Sequence, residues 1–171
     1  MAVQAITKQQ LLDALRESGA AAVTKLAAIP AAKFEDGCYE NGWNARQVLA
    51  HVASIEWSYP RLIDVARDGD KPREEKPEGA EPPQRKATGG INDYNQRQIE
   101  RYADTPVAEL LDVFRKNREA TIAAVEATDD ALFAVPVKSA GGIPGPLGTV
   151  LNYVAVVHVN GHVNDIVQAA G

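Results

Sequence analysis

The chain of 171 residues contains three histidines, His51, His158 and His162. The last two stand four apart in HVNGH, so on a helix they project side by side from adjacent turns. Two imidazoles placed in this way can share one metal ion at about 2.0 to 2.1 Å each. His51 lies three residues after Val48 and four before Ile55, on or at the edge of an inward stripe of its own helix. A histidine on an apolar stripe is more often a core residue with its hydrogen bonds satisfied. Burying three imidazoles, however, leaves several polar nitrogens to satisfy, and one divalent ion satisfies three of them together. The residues alone leave both readings open.

A site of three neutral ligands would be an open one, because structural zinc sites close with four protein ligands whereas catalytic sites keep a position for water or substrate. Cys38, in the loop DGCYENG, could in principle close it and is read as an ordinary loop thiol. Imidazole suits zinc, nickel, iron or copper, so ligand type does not choose among them. Asp165, three residues after His162, is placed either to accept a ring N–H or to stand solvated near a helix end. Gly161 between the histidines costs about 1 kcal/mol relative to alanine, which predicts close approach by a neighbouring helix.

Four long helical segments must position these side chains, and the pattern is all-α. The first runs from Thr7 to about Ala28, opened by Thr7 and Gln10 at capping-box spacing. The second starts at Asn44, with Gln47 to reciprocate, and carries Val48, Val52, Ile55, Tyr59, Leu62 and Ile63 inward, with a kink expected near Pro60. Residues 68–90 are rich in Pro, Gly and charge and read as a long surface connection. A shorter helical stretch, INDYNQRQIERYAD, follows. Thr105-Pro106 opens the third main helix, which buries Val107, Leu110, Leu111, Phe114, Thr121, Ile122 and Val125 and ends near Thr128. The segment from Leu132 to Gly148 is too rich in Pro and Gly for a helix and offers at most an extended piece at Phe133 to Val137. The last helix, Leu147 to about Ala169, puts Leu147, Leu151, Val154, His158, Gly161, His162 and Asp165 on one face. Four main helices with two long connections predict one bundle domain over 1–171, a four-helix bundle with crossovers.

Composition narrows the partners. Hydrophobic residues make up 45% and charged residues 24%, a globular balance, and no apolar run reaches the roughly 20 residues that cross a bilayer. With 23 acidic against 18 basic residues, and the basic ones scattered, the footprint of a nucleic-acid binder is missing. A start without a basic, apolar leader and a single cysteine predict a cytoplasmic protein.

WNARQVLAHVASIEW, INDYNQRQ and LGTVLNYVAVVHVNGHVNDI together resemble the DinB-like (YfiT-like) metalloenzyme superfamily, over nearly the whole chain. The resemblance implies a bundle in which one histidine of the second helix and a His-x-x-x-His pair of the last bind a divalent metal, matched here by His51, His158 and His162. Trp43, Leu49 and His51 match the approach to the first ligand. Relatives include mycothiol-dependent maleylpyruvate isomerase and thiol S-transferases that use mycothiol or bacillithiol, and many are homodimers. The isomerase carries a further C-terminal domain that this chain is read as lacking, and a Glu among its metal ligands where this chain has His, so its reaction does not carry over. Asn95 matches a pattern position near the metal pocket where it could orient substrate. Tyr94 and Arg97 are weaker candidates, Arg97 for a carboxylate of a thiol cofactor.

These readings lead to a divalent-metal-dependent enzyme of thiol transfer or related detoxification, with zinc or nickel favoured and iron compatible. A bound ion that lowers the pKa of a thiol would make a nucleophile at neutral pH. The competing expectation is a metal-binding or small-ligand-binding protein that performs no chemistry on the same bundle. Small-molecule substrates, a homodimer, and no nucleic-acid or membrane partner complete the expectations.

Overall fold

The computed structural model describes residues 5–37, 42–69 and 90–170. Cys38, and residues 70–89 of the expected 68–90 connection, lie outside the described residues. Seven α-helices are described: α1 (Lys8–Ala27), α2 (Ala45–Ile55), α3 (Arg61–Asp68), α4 (Gly90–Arg101), α5 (Val107–Glu126), α6 (Leu147–Asn152) and α7 (His158–Ala170). Between α5 and α6 lies a small antiparallel hairpin, β1 (Pro136–Lys138) and β2 (Pro144–Pro146), with Val137 opposite Gly145.

The architecture is an all-α four-helix bundle. α1 packs beside α5 and α7, and α2 packs beside the same two helices. Consecutive main helices therefore sit diagonally, so the connections leaving α1 and α5 each cross the bundle, as two crossovers require. Both capping boxes form: the Thr7 hydroxyl accepts from the Gln10 amide, and Asn44 and Gln47 exchange hydrogen bonds at 2.9 Å. At the start of α2, the Arg46 guanidinium donates to the Ala103 and Thr105 carbonyls, tying that end to the α4–α5 turn.

Two local expectations need correction, and the kink expected near Pro60 takes a definite form in the second helix. That helix ends at Ile55, passes through a 3₁₀ turn (Glu56–Ser58), and restarts as α3 after Pro60, which can begin a helix but cannot donate within one. The last helix contains a π turn, Tyr153–Val157. The inserted turn moves the buried stripe to Leu147, Leu151, Ala155, Val159, Val163 and Ile166, leaving Val154, His158 and His162 half-buried and Gly161 and Asp165 exposed. Gly161 is not a close-approach site either, since a Cβ built there meets nothing within 4 Å.

The core is divided by a polar layer. One apolar cluster gathers Leu26, Phe34, Leu49, Leu110, Phe114 and Val163, and the other gathers Leu11, Leu15, Tyr59, Val125, Phe133 and Leu151. Between them the Arg118 guanidinium pairs with Glu56 at 2.7 Å and donates to the Leu15 carbonyl at 3.1 Å, the Ser18 hydroxyl at 3.0 Å and the Ala155 carbonyl at 2.5 Å. That one side chain joins α1, α5, the turn after α2 and the π turn.

Candidate metal centre and adjoining cavity

Each histidine is set by a different piece of local structure. His51 is 4% exposed on α2, where the capped start at Asn44 and the buried neighbours Val48 and Val52 fix its face. Its ring lies 5.4 Å from that of Trp43 and 5.5 and 5.1 Å from those of His158 and His162, nearly edge-on to the last two. His158 opens α7 directly after the π turn. Its amide bonds the Tyr153 carbonyl five residues back, as a π turn requires, and the Val154 carbonyl lies close enough to the His158 ring to oppose the lowering of its pKa. The ring's Nε2 lies 2.9 Å from Nε2 of His162.

Burial holds all three imidazoles neutral. Desolvation, helped by the neighbouring His162 and His158, lowers His51 to about 3. Desolvation also lowers His158, against the opposing bond to Val154. His162 falls to about 4 through desolvation and His158, with Asp165 pulling the other way. Neutral imidazole is the metal-binding form.

The donor set fits a metal ion. One nitrogen from each ring lies within 4.8 Å of the others. Two ligand atoms at 2.0 to 2.1 Å from one ion stand about 3 Å apart, which is the His158–His162 spacing. A direct N–H···N bond would satisfy those two rings without an ion, but it leaves His51 Nδ1 buried with no partner. An ion drawing on all three rings accounts for the convergence, which a bond between two of them does not.

A cavity of about 730 Å³ adjoins the histidines, with His51 and His158 in its wall. Ile55, Leu62, Val65, Ile143 and Val154 supply apolar surface, and Trp57, Tyr94 and Asn95 contribute from the α2–α3 turn and α4. The volume is that of a site for a small organic ligand.

The remaining candidates separate here. Asn95 lines the cavity beside His51, close enough to oppose the downward shift of that ring, although its buried Oδ1 completes no hydrogen bond. Tyr94 also lines the cavity, and its hydroxyl accepts from Trp57 Nε1 at 2.6 Å. Asp165 is exposed and acts on His162 through charge. Arg97 is exposed and outside the cavity lining. Sequence reasoning missed Trp57, Arg61 and Lys138, all cavity-lining residues. Trp57 and Arg61 lie on either side of Pro60, and both line the same cavity.

The family model for the mycothiol maleylpyruvate isomerase N-terminal domain matches residues 15–158. The chain belongs to this family. Among curated protein sequences none matches it. In overall fold the chain is similar to the crystal structure of mycothiol-dependent maleylpyruvate isomerase, with a TM-score of 0.71 and 17% identity over 94% of this chain. It spans 61% of that protein's length. YfiT from Bacillus subtilis, described as a "probable metal-dependent hydrolase with an unusual four-helix bundle topology", superposes with a TM-score of 0.66 at 16% identity, covering 98% of this chain and 90% of that one. The colibactin self-resistance protein ClbS, solved with a double-stranded DNA, gives 0.64 at 14% identity over 96% and 97% of the two chains. At these identities the structural likeness shows the shared bundle alone.

Proposed function

We propose that this chain is a divalent-metal-dependent enzyme that transfers a low-molecular-weight thiol, such as mycothiol or bacillithiol, to an electrophilic small molecule. The observation that carries the reading is the convergence of three neutral imidazoles at the wall of a ligand-sized cavity. His51, His158 and His162 would hold the ion, zinc or nickel in the first place and iron as a third choice. When bound, it supplies positive charge that lowers the pKa of a thiol to the neutral range.

The chain's own residues prepare the site. The Val154 carbonyl, close to the His158 ring, is suited to accept one ring N–H and leave the other nitrogen to an ion. Asn95 presents a carboxamide at the junction of His51 and the cavity, suited to orienting the electrophile, while Asp165 sets charge beside His162. Ile55, Leu62 and Ile143 exclude water from the reacting centre. In a halide displacement the sulfur–carbon bond forms as the carbon–halogen bond breaks, the halide leaves with the bonding pair, and the thiol proton passes to water.

The reading takes residues 1–171 as one bundle domain, a homodimer in the cytoplasm, and a small molecule rather than nucleic acid as partner. The net charge of -5 and the single cysteine support the last two points. The test is turnover of chlorodinitrobenzene with mycothiol or bacillithiol by protein loaded with zinc, nickel or iron. Metal-dependent turnover that is lost in His51→Ala supports the proposal. Thiol binding without turnover of any electrophile would reassign the cavity to a non-catalytic metal-binding or ligand-binding protein.

A further inference from the structure

The charge around the cavity is opposite to that of the chain. Acidic residues outnumber basic ones 23 to 18 overall, yet the described lining contains Arg61 and Lys138 and no Asp or Glu. Neither cation has a carboxylate partner among the described residues. Asp64, one turn beyond Arg61, pairs with Arg67 at 3.4 Å instead. Arg61 is also held in place, its guanidinium 6.0 Å from the centre of the Trp57 ring, whose indole N–H is anchored on Tyr94. Lys138 reaches the lining from β1, against which α3 packs, so two separate elements bring positive charge to one cavity. The same lining includes the apolar side chains Ile55, Leu62, Val65 and Ile143.

From this arrangement we infer that the ligand of the cavity is an amphipathic organic anion: an aromatic or branched aliphatic body lying on the apolar wall, with a carboxylate received by Arg61 and Lys138. Both cations are exposed where they line the cavity and have no carboxylate partner among the described residues, so an entering anion can reach them, and the guanidinium can bind a carboxylate through two parallel hydrogen bonds. The apolar wall discriminates against small hydrophilic anions that leave it uncovered. The inference rests on the proposed function in taking this ligand to be the electrophile, while its binding is measurable without turnover.

The test uses the full chain freed of metal with EDTA, so that a carboxylate cannot bind through an ion, and follows quenching of tryptophan fluorescence, to which Trp43 and Trp57 contribute. The probes are 4-phenylbutyrate and its methyl ester, which share a body and differ in charge. The acid is expected to bind at least about tenfold more tightly than the ester, with affinity falling as salt rises. Arg61→Gln and Lys138→Gln each weaken the acid by about fivefold and leave the ester unchanged. Equal affinity of acid and ester for the wild type overturns the inference, as does a parallel loss of both in the variants. Trp57→Phe, which leaves Trp43 as the only tryptophan and keeps an aromatic ring, confirms where the probe sits when the quench is lost while calorimetry still detects binding; an unchanged quench in that variant overturns the location. Selective binding of the acid without thiol transfer by metal-loaded protein would sink the proposed function and leave this inference standing. Turnover without preference for acid over ester would do the reverse.

Discussion

Replacing Arg118 with methionine should destabilise the bundle by an amount that grows with pH. The guanidinium is buried between the two apolar clusters and neutralises Glu56, which is fully buried. Burial raises Glu56 to about 7 despite the opposing pull of Arg118. Methionine keeps most of the side-chain length but abandons the Leu15 and Ala155 carbonyls, a loss of roughly 3 kcal/mol for two buried acceptors at about 1 to 2 each. At pH 5 Glu56 holds its proton in both proteins, so that loss is the whole effect. Above pH 7 the wild-type carboxyl ionises, whereas in the variant it must stay protonated while the unfolded chain ionises freely. Each further pH unit then adds about 1.4 kcal/mol, or roughly 3 kcal/mol by pH 9.

Urea unfolding of both proteins at pH 5, 7.5 and 9 measures this directly, and the expected total approaches 6 kcal/mol at the highest pH, near the range for breaking a buried ion pair. Glu56→Gln combined with Arg118→Met should lose the extra pH dependence while keeping the loss at pH 5. A destabilisation that is flat across the three pH values, or below about 1 kcal/mol at pH 9, would refute the claim that Arg118 is what allows Glu56 to ionise.

Purified protein without a histidine tag should carry about one equivalent of transition metal by mass spectrometry, and His51→Ala, His158→Ala and His162→Ala should each lose it, as one shared site demands. The metal-free protein should lose stability as pH falls from 6.5 to 4.5. Folded histidines at about 3 for His51 and about 4 for His162 bind no proton there, while the unfolded chain does, so their stabilisation is full above 6.5 and lost toward those values. Glu56, raised in the fold, works in the opposite direction below 7, and the balance is a net loss of roughly 3 kcal/mol by thermal or urea unfolding. Gly161→Ala should raise stability by about 1 kcal/mol, or 2 to 4 °C in Tm, because the added methyl meets nothing and the helix gains propensity; unchanged metal content would accompany it. Gly148→Ala should do the opposite, since its Cβ would stand 2.7 Å from the Ile6 carbonyl.

The helix starts and the clustering of His158 with His162 were legible in the sequence because their signals are local. The capping boxes at Thr7 and Asn44, and the four-residue spacing of His158 and His162, each depend on a single helix and survive whatever packs around it. What escaped was set by contacts between helices. A continuous 3.6-residue period through the last helix puts Asp165 and Gly161 on the core face, and the π turn at Tyr153–Val157 removes them from it. The π turn has a partner, the Arg118 guanidinium on the Ala155 carbonyl, and its trace was present in α5. The apolar series Leu110, Phe114, Thr121, Val125 skips one helical step, and the residue at that step is Arg118. A charged residue completing a core stripe predicts a buried counter-charge, which Glu56 supplies from the turn after α2. The same π turn that accepts from Arg118 leads directly into His158, the first residue of α7. The polar layer and the candidate metal centre therefore meet in one turn of backbone, an irregularity that a helical-period reading cannot detect.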